Sequence, residues 1–485
     1  MKRTNLPFAA VCAAFLALGM SGTSAQITLA DTDNAAPVIK GAEDRKIYCG
    51  ERTIWISDDD LSEVTVNDVP VTLSSDGALT IKPSSEIQLI TATDNAGNTT
   101  SIKIVVNDGH MDTNGICTVC GLTNLDNIIM TSANKDQIFG KNISRDSIKG
   151  VQIFNTLSVA DESAWDVSEN QKGGVKAWIT TDDAGSNYLN LAADGNIIAN
   201  EMSAQLFAYY SNLEFIEGLE YFNTGNVTDM GYMFWECANL KNLNVETFNT
   251  RNVTRMSYMF YDCENLQELN VTNFDTSNVT TMAFMFGKCE SLNELDVSNF
   301  DTSQVNDMYC MFLNCVNLPE LDLNNFDTAN VTNMSSMFLG CKNLQSLNVD
   351  NFDTSKVTDM YCTFSGCENL QSLNVSSFDT GNVTNMKQTF SGCKNLQELN
   401  IDNFNTSNVT DMSFMFAGCS SLQTLDVSEF DTSKVRDMSH MFSNCSNVQE
   451  LKVDNFDISN VTDMTNMFLG CTNLKNTNLD RFNNN

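Results

Sequence analysis

The chain has 485 residues, room for several domains, and sets 61 Asp and Glu against 27 Lys and Arg for a formal charge of −34. A chain this acidic repels phosphate backbones and anionic headgroups, which argues against nucleic acid and anionic membrane surfaces as partners. It carries only two histidines, His110 and His440, no Gly-x-Ser-x-Gly, no phosphate loop and no matched acid–base pair, so no enzyme is expected.

In chain order the first element is an export signal at 1–25. Lys2 and Arg3 precede an apolar stretch from Leu6 to Met20, and Thr23-Ser24-Ala25 supplies small residues for cleavage. The stretch is too short to span a bilayer, so no transmembrane segment is expected in the mature chain. Without an apolar tail or wall-sorting sequence after the repeats described below, the expectation is release, or non-covalent retention at the cell surface. A linker occupies 26–35.

Residues 36–107 alternate Ile, Val and Thr in short runs: Thr53-Ile54-Trp55-Ile56, Val64-Thr65-Val66, Val71-Thr72-Leu73, Ile87-Gln88-Leu89-Ile90 and Ile102-Lys103-Ile104-Val105-Val106. Asn67-Asp68, Asp76-Gly77 and Thr93-Asp94-Asn95-Ala96-Gly97-Asn98 punctuate them as turns. Short strands at this spacing predict a small β-sandwich. The Thr-Asp-Asn-Ala-Gly-Asn run before a final strand resembles bacterial immunoglobulin-like domains of surface proteins, which implies a spacer.

Residues 108–125 form a cysteine linker. His110, Cys117 and Cys120 could offer three zinc ligands; a closed site needs a fourth, to which the sequence does not point. A redox-active pair and an inter-domain staple are the alternatives. Residues 126–211 hold Trp165, Trp178, Phe207, Tyr209 and Tyr210 and are expected to cap the repeats that follow.

From 212 to 485 the chain repeats. Met230 recurs every 26 residues to Met464, in step with Cys237 to Cys471 and Phe234 to Phe468, ten copies without insertion. A fixed period of this length marks a stacked-repeat fold. One unit, Asn265 to Glu290, places Leu266, Leu269, Val271, Phe274, Val279, Met282, Met285, Phe286 and Cys289 as its apolar set. Leu269 and Val271 alternate as a strand, Asp275-Thr276-Ser277-Asn278 bends the chain, and Val279 to Phe286 runs back along the far side. One unit cannot bury this face alone; stacked units can, at about 1.5–3 kcal/mol per buried side chain against about 1–2 kcal/mol per residue of chain entropy. The fold expected is mainly β: a right-handed leucine-rich-repeat solenoid of ten 26-residue coils, preceded by the small immunoglobulin-like β-sandwich. The last copy replaces a leucine by Thr477, and the tail from Asp480 to Asn485 reads as an exposed polar end.

Sixteen cysteines in an exported chain suggest disulfides, but ten of them share one repeat position beside apolar neighbours. A position that faces both neighbours equally cannot pair with either specifically, so a reduced, buried ladder is expected.

Residues alternating with the strand leucines point outward in columns. One holds Glu268, Glu294, Glu320 and Glu398; the next holds Asn270, Asp296, Asp322, Asn348, Asn374, Asn400 and Asp426. Such a face can take a basic protein patch, a glycan or divalent cations, or can be polar simply because it is solvated. A further column, Tyr232, Tyr258, Phe284, Cys310, Ser336, Cys362, Gln388, Phe414, His440 and Asn466, reads as exposed and variable, with its aromatic members partly buried. Asn-Val-Thr triplets such as Asn226-Val227-Thr228 read as turn residues.

The unit Phe352-Asp353-Thr354-Ser355-Lys356-Val357-Thr358-Asp359-Met360 through Cys367, like Phe404 through Ser413, resembles BspA-like leucine-rich repeats of the DUF285 type. Gly174-Val175-Lys176-Ala177-Trp178, Leu206-Phe207 and Asn212-Leu213 resemble that family's entry module. The resemblance implies a secreted or surface-exposed bacterial protein that adheres to an extracellular protein or glycan, without supplying the ligand. No cofactor is expected beyond zinc at the cysteine linker or calcium on the acidic face. The rival expectations are a glycan- or calcium-binding scaffold, and an enzyme with an unrecognised site in 126–211.

Overall fold

The computed structural model describes residues 36–107 without 41, 43–45, 50–51, 59–60 and 83, and residues 127–485 without 476–478 and 483–485. The export signal, the linker at 26–35 and the cysteine linker with His110, Cys117 and Cys120 lie outside these residues. The described chain is mainly β; its only helices are 3-10 turns such as Arg145–Ser147 and Asp480–Phe482.

The first unit contains β1 (Val38–Lys40), β2 (Lys46–Cys49), β3 (Arg52–Ser57), β4 (Leu61–Val66), β5 (Val69–Pro70), β6 (Ala78–Ile81), β7 (Ser84–Asp94) and β8 (Thr99–Asn107). They form two sheets, ordered β1-β3-β6 and β2-β8-β7-β4-β5. Ile54, Ile56 and Ile81 from one sheet and Val64, Ile90 and Ile104 from the other share one apolar core. Asn67 and Asp68 turn with φ of 50° and 61°, the paired left-handed geometry of a tight hairpin, and join β4 to β5. Asp94 closes the β7–β8 hairpin by accepting from the Asn98 N–H at 2.8 Å. The expected strand at Val71–Leu73 does not form. Val71 makes one bond to the Val64 carbonyl at 2.9 Å, and a turn closed by the Gly77 N–H on the Ser74 carbonyl follows at once.

The second region contains β9 (Ile148–Phe154), β10 (Trp165–Asp166), β11 (Val175–Thr181), β12 (Asn187–Ala193), β13 (Ile197–Ile198), β14 (Phe215–Glu217) and β15 (Phe222–Asn223). Five of these make a mixed sheet ordered β10-β11-β12-β9-β14. Its inner side chains continue into the core of the repeats. The fully buried Arg145 sits at this junction with no carboxylate partner among the described residues. Its guanidinium donates to the carbonyls of Gln205 and Ala208 (2.8 Å each) and to Ser132 Oγ (2.7 Å), and lies 5.2 Å from the Tyr210 ring centre. Carbonyl dipoles and a π face thus replace the missing anion.

Beyond 222 the chain stacks repeat on repeat. Short strands in the leucine segment pair in parallel at the 26-residue offset: β16 (Asn242–Leu243) with β17 (Glu268–Leu269), β18 (Glu320–Leu321) with β19 (Ser346–Leu347), and β20 (Ser372–Asn374) with β21 (Glu398–Asn400). These strands are shorter than the alternation through Val271 suggests. Asn270 captures the Thr272 N–H at 3.1 Å, and Asp296 the Ser298 N–H at 3.0 Å, so a side-chain-closed turn ends the strand one residue after the leucine. Val271 still faces inward and is fully buried.

The unbroken ladder is on the other side, in the segment expected only to run back. Parallel bridges link Asp229, Arg255, Thr281, Asp307 and each equivalent to Asp463. Next to them, the N–H groups of Met230, Tyr232, Phe234 and Glu236 donate to the carbonyls of Arg255, Ser257, Met259 and Tyr261 at 2.9–3.1 Å, and the pattern recurs down the stack. Intervening residues close local turns, as Met233 N–H does on Met230 at 3.2 Å. Keeping alternate N–H groups aimed at the next repeat requires left-handed residues. Tyr232 and its nine equivalents have φ of 54–60°, and the column from Glu236 to Gly470 has φ of 53–78°. This accounts for the glycine before the cysteine in Gly340, Gly366, Gly392, Gly418 and Gly470. It also corrects the reading of the Tyr232 column as exposed: Cys310, Ser336 and Cys362 are buried, because the left-handed backbone lays the side chain along the stack.

Inside, eleven phenylalanines from Phe207 to Phe468 stack at centroid spacings of 5.6–5.8 Å and within 9° of parallel. The cysteines beside them are free thiols. From Cys237 to Cys471, each S–H donates to a phenylalanine carbonyl in the preceding repeat at 3.0–3.3 Å. Burial pushes their pKa up, to about 12 at Cys341 and Cys393. Buried Thr276, Thr302 and Thr328 donate across to the following repeat at 2.9 Å each. The asparagines of the Asn-Val-Thr triplets do more than turn: Asn278, Asn330 and Asn382 hold a carbonyl of the preceding repeat at 2.7–2.8 Å. The tail is not wholly exposed. Phe482 folds back and is buried edge-on against Phe468 and Phe456, at 5.5 and 6.4 Å.

The left-handed positions set a stability test. A Cβ at Gly392 meets the Gly366 backbone at 3.5 Å, which is ordinary contact, so the cost of Gly392→Ala is conformational. Chemical denaturation is expected to show a loss of about 1–2 kcal/mol for Gly392→Ala. Gly392→Asn, which reproduces what Asn314 and Asn444 already do at this column, loses less.

Candidate functional site

The strand segment presents its alternate residues outward, as the period-two pattern requires. Glu268, Glu294, Glu320 and Glu398 are all exposed, as are Asn270, Asp296, Asp322, Asn348, Asn374, Asn400 and Asp426. The structure therefore brings the sequence-predicted face together, in register: Asn242 pairs with Glu268, Glu320 with Ser346, and Ser372 with Glu398.

The two columns differ in chemistry. In the second, side-chain oxygens are already committed to the chain. Asp296 accepts from both the N–H and the hydroxyl of Ser298, at 3.0 and 2.6 Å. Asp322, Asn348, Asn374 and Asn400 accept the N–H two residues on, at 3.0–3.2 Å. Asn270 also donates to Glu246 at 2.9 Å, and Asn348 to Asn324 at 2.8 Å. These residues hold turns, and their hydrogen bonds keep the Asp296 carboxyl below the usual carboxylate range. In the first column, Glu268, Glu294, Glu320 and Glu398 have no hydrogen-bond or ion-pair partner among the described residues. They are the carboxylates of the face that the fold itself does not use.

The face is an open trough. About 850 Å³ lies over residues 293–374, floored by Leu295, Leu321 and Leu347 and walled by Glu294, Asp296 and Glu320. A second, of about 510 Å³, lies over Glu398, Asp402, Asp426, Glu450 and Lys452. There Lys452 Nζ stands 2.6 Å from Asp426, and with Ser428 it pulls that carboxyl down to about 2. Lys452 is the one cation in its column, and it closes the Asp426 end of the acidic row. Among the described residues no three His, Cys, Asp or Glu side chains converge where a metal ion would sit.

Two expectations follow from this division. Asp296→Ala should lower unfolding free energy by about 0.5–1.5 kcal/mol, whereas Glu294→Ala, two residues earlier on the same face and without a partner among the described residues, should leave it unchanged within about 0.5 kcal/mol, both read by denaturant titration. Asp426 should titrate near 2 by carboxyl NMR, and Lys452→Met should move it up toward the ordinary value. Because its folded pKa is depressed, the ion pair holds above the unfolded carboxyl pKa and is lost as pH falls through about 2.

A mainly β chain whose identical-length repeats bond in parallel at a 26-residue offset, with one carboxylate-lined flank, is a repeat protein built around a surface. Residues 201–320, 316–400 and 384–485 match the family described as "Mycoplasma protein of unknown function, DUF285". These matches run from 201 to 485, more than half of the chain, and the chain belongs to this DUF285 family. Their start at 201 agrees with the ring column, which already begins at Phe207. No curated protein and no solved structure matches the chain. No helix among the described residues is long and apolar enough to cross a membrane.

Proposed function

We propose that this is an exported bacterial interaction protein, in which the stacked repeats constitute a right-handed leucine-rich-repeat solenoid of the BspA-like kind and residues 36–107 an immunoglobulin-like spacer. The solenoid binds an extracellular protein or glycan through its outward strand face, in the manner of an adhesin, and carries out no catalysis. The observation that supports this reading is the row of glutamates without a partner among the described residues, Glu268, Glu294 and Glu320, the last two walling a trough with an apolar floor. A trough of about 850 Å³ spread over several repeats suits a partner laid along it. Unpaired carboxylates on an open surface favour a partner with a basic patch, whose association is accelerated by charge and weakened by salt.

The test is a binding screen of the full chain against matrix proteins and glycans at two salt concentrations. A ligand is expected whose association slows at the higher salt, whose binding survives chelation of divalent cations, and whose affinity falls at least about tenfold when Glu268, Glu294 and Glu320 are together changed to alanine. A ligand bound equally well by the triple variant would place the binding surface elsewhere. Turnover of a substrate by the purified chain would remove the non-catalytic reading.

A further inference from the structure

Away from the strand face, on the side of the left-handed ladder, six half-buried rings touch in an unbroken set. They are Tyr209, Tyr232, Trp235, Tyr258, Tyr261 and Phe284, with neighbouring centroids 4.4–5.4 Å apart. The fold does not require rings here. Later repeats hold the same backbone with Ser336 and Gln388 in the place of Tyr232, at φ of 55° and 59°. Where early repeats read Trp235-Glu236 and Tyr261-Asp262, later ones read Ser365-Gly366, Ser391-Gly392 and Ala417-Gly418. The early choice is the costlier one. Glu236 and Asp262 adopt φ of 58° and 65°, a conformation that glycine takes at less cost. Trp235 Nε1 is buried with no hydrogen-bond partner among the described residues.

Two carboxylates beside these rings already hold a cation from the following repeat. Arg255 pairs with Asp229 at 3.2 Å and lies 5.2 Å from the Tyr232 ring centre. Lys288 pairs with Asp262 at 3.3 Å and lies 5.4 Å from the Tyr261 ring centre. Glu236 stands in the same setting without the cation. The residue 26 positions on from it is Asp262, a like charge, and Glu236 has no hydrogen bond or ion pair among the described residues. It is close to Tyr209, whose phenol is pushed up by burial and then by the Glu236 charge. Burial, with Asp262 adding to it, raises the Glu236 carboxyl against the opposing pull of Lys135 and Lys288. A half-buried carboxylate among rings selects a weakly hydrated, planar cation, which describes a guanidinium better than an ammonium. We propose that Glu236, with Tyr209 and Trp235, binds an arginine side chain of a polypeptide partner, in the way the chain holds its own Arg255. Tyr258, Tyr261 and Phe284 continue the surface for the residues that flank this arginine. The site is independent of the binding face described above and gives the molecule a second contact surface.

Fluorine NMR of the full chain labelled with 5-fluorotryptophan tests this. The chain has four tryptophans, and Trp235→Phe assigns the signal of interest. Titration with the end-blocked tripeptide Gly-Arg-Gly is expected to shift the Trp235 signal saturably. The citrulline analogue, planar and hydrogen-bonding but uncharged, is expected to leave it in place. Glu236→Gln is expected to weaken the binding at least about tenfold. Glu236→Gly, which installs the residue of the later repeats, is expected to abolish the shift without lowering the denaturation midpoint, so that lost binding is separated from lost folding. The variant with Glu268, Glu294 and Glu320 changed to alanine is expected to respond as the parent does. The proposal is overturned if the Trp235 signal ignores the arginine peptide, answers the citrulline analogue equally, or keeps its parent affinity in Glu236→Gln. It is also overturned if Glu236→Gly lowers the midpoint, if the triple alanine variant loses the response, or if a chito-oligosaccharide moves the signal where the arginine peptide does not.

Discussion

The constraint on which this molecule depends is the one-way hydrogen bonding of the segment from Met230 to Cys237 and its equivalents. Alternate N–H groups of one repeat must find carbonyls of the next, 25 residues on, at the start of the ladder and at its end. A residue inserted within this segment would put turn-closing N–H groups where inter-repeat donors are needed. This accounts physically for the constant length of the segment in all ten copies. Between Met202 and Asp229 the spacing is 27, yet Gln205, Phe207 and Tyr209 still donate to Gly231, Met233 and Trp235 at 2.7–3.1 Å, so the extra residue lies outside the bonded segment, and Tyr210 stands where later repeats place cysteine.

The same constraint explains the cysteine. At this position the side chain is enclosed by rings and methionines, and a carbonyl of the preceding repeat lies within reach. Alanine would leave that carbonyl one partner short, and a larger apolar group would not fit between the repeats. A thiol is small, apolar enough to be buried and still a weak donor. Its raised pKa keeps it protonated and therefore slow in disulfide exchange, which makes a cysteine-rich chain compatible with the proposed export.

Much of this was legible beforehand. Period, inward leucines, buried methionine and cysteine columns, and the outward glutamates all follow from apolar spacing and from the alternation of a strand. Three features were not. The ladder through Tyr232, Phe284 and His440 was hidden because these residues adopt a left-handed backbone that their side chains do not favour, so no glycine announced it; only Gly340 and its equivalents, one turn later, gave a partial sign. The short strands were hidden because Asn270 and Asp296 look like surface polarity until their turn-closing bonds are seen. Arg145 was hidden because nothing in its surroundings in the sequence distinguishes a buried guanidinium from a solvated one. Of the candidate site, the outward placement of both columns was legible from the strand alternation, whereas the turn-closing bonds of the Asn and Asp column were not.

The most direct measurement of the directional ladder is amide hydrogen exchange resolved along the phenylalanine column. The account predicts that the N–H groups of Phe338, Phe364 and Phe390, each donating to the following repeat at 2.9 Å, exchange only through large-scale opening, while that of Phe468 exchanges fast despite the same local sequence. If Phe364 exchanged as fast as Phe468, the repeats would not be joined in this way.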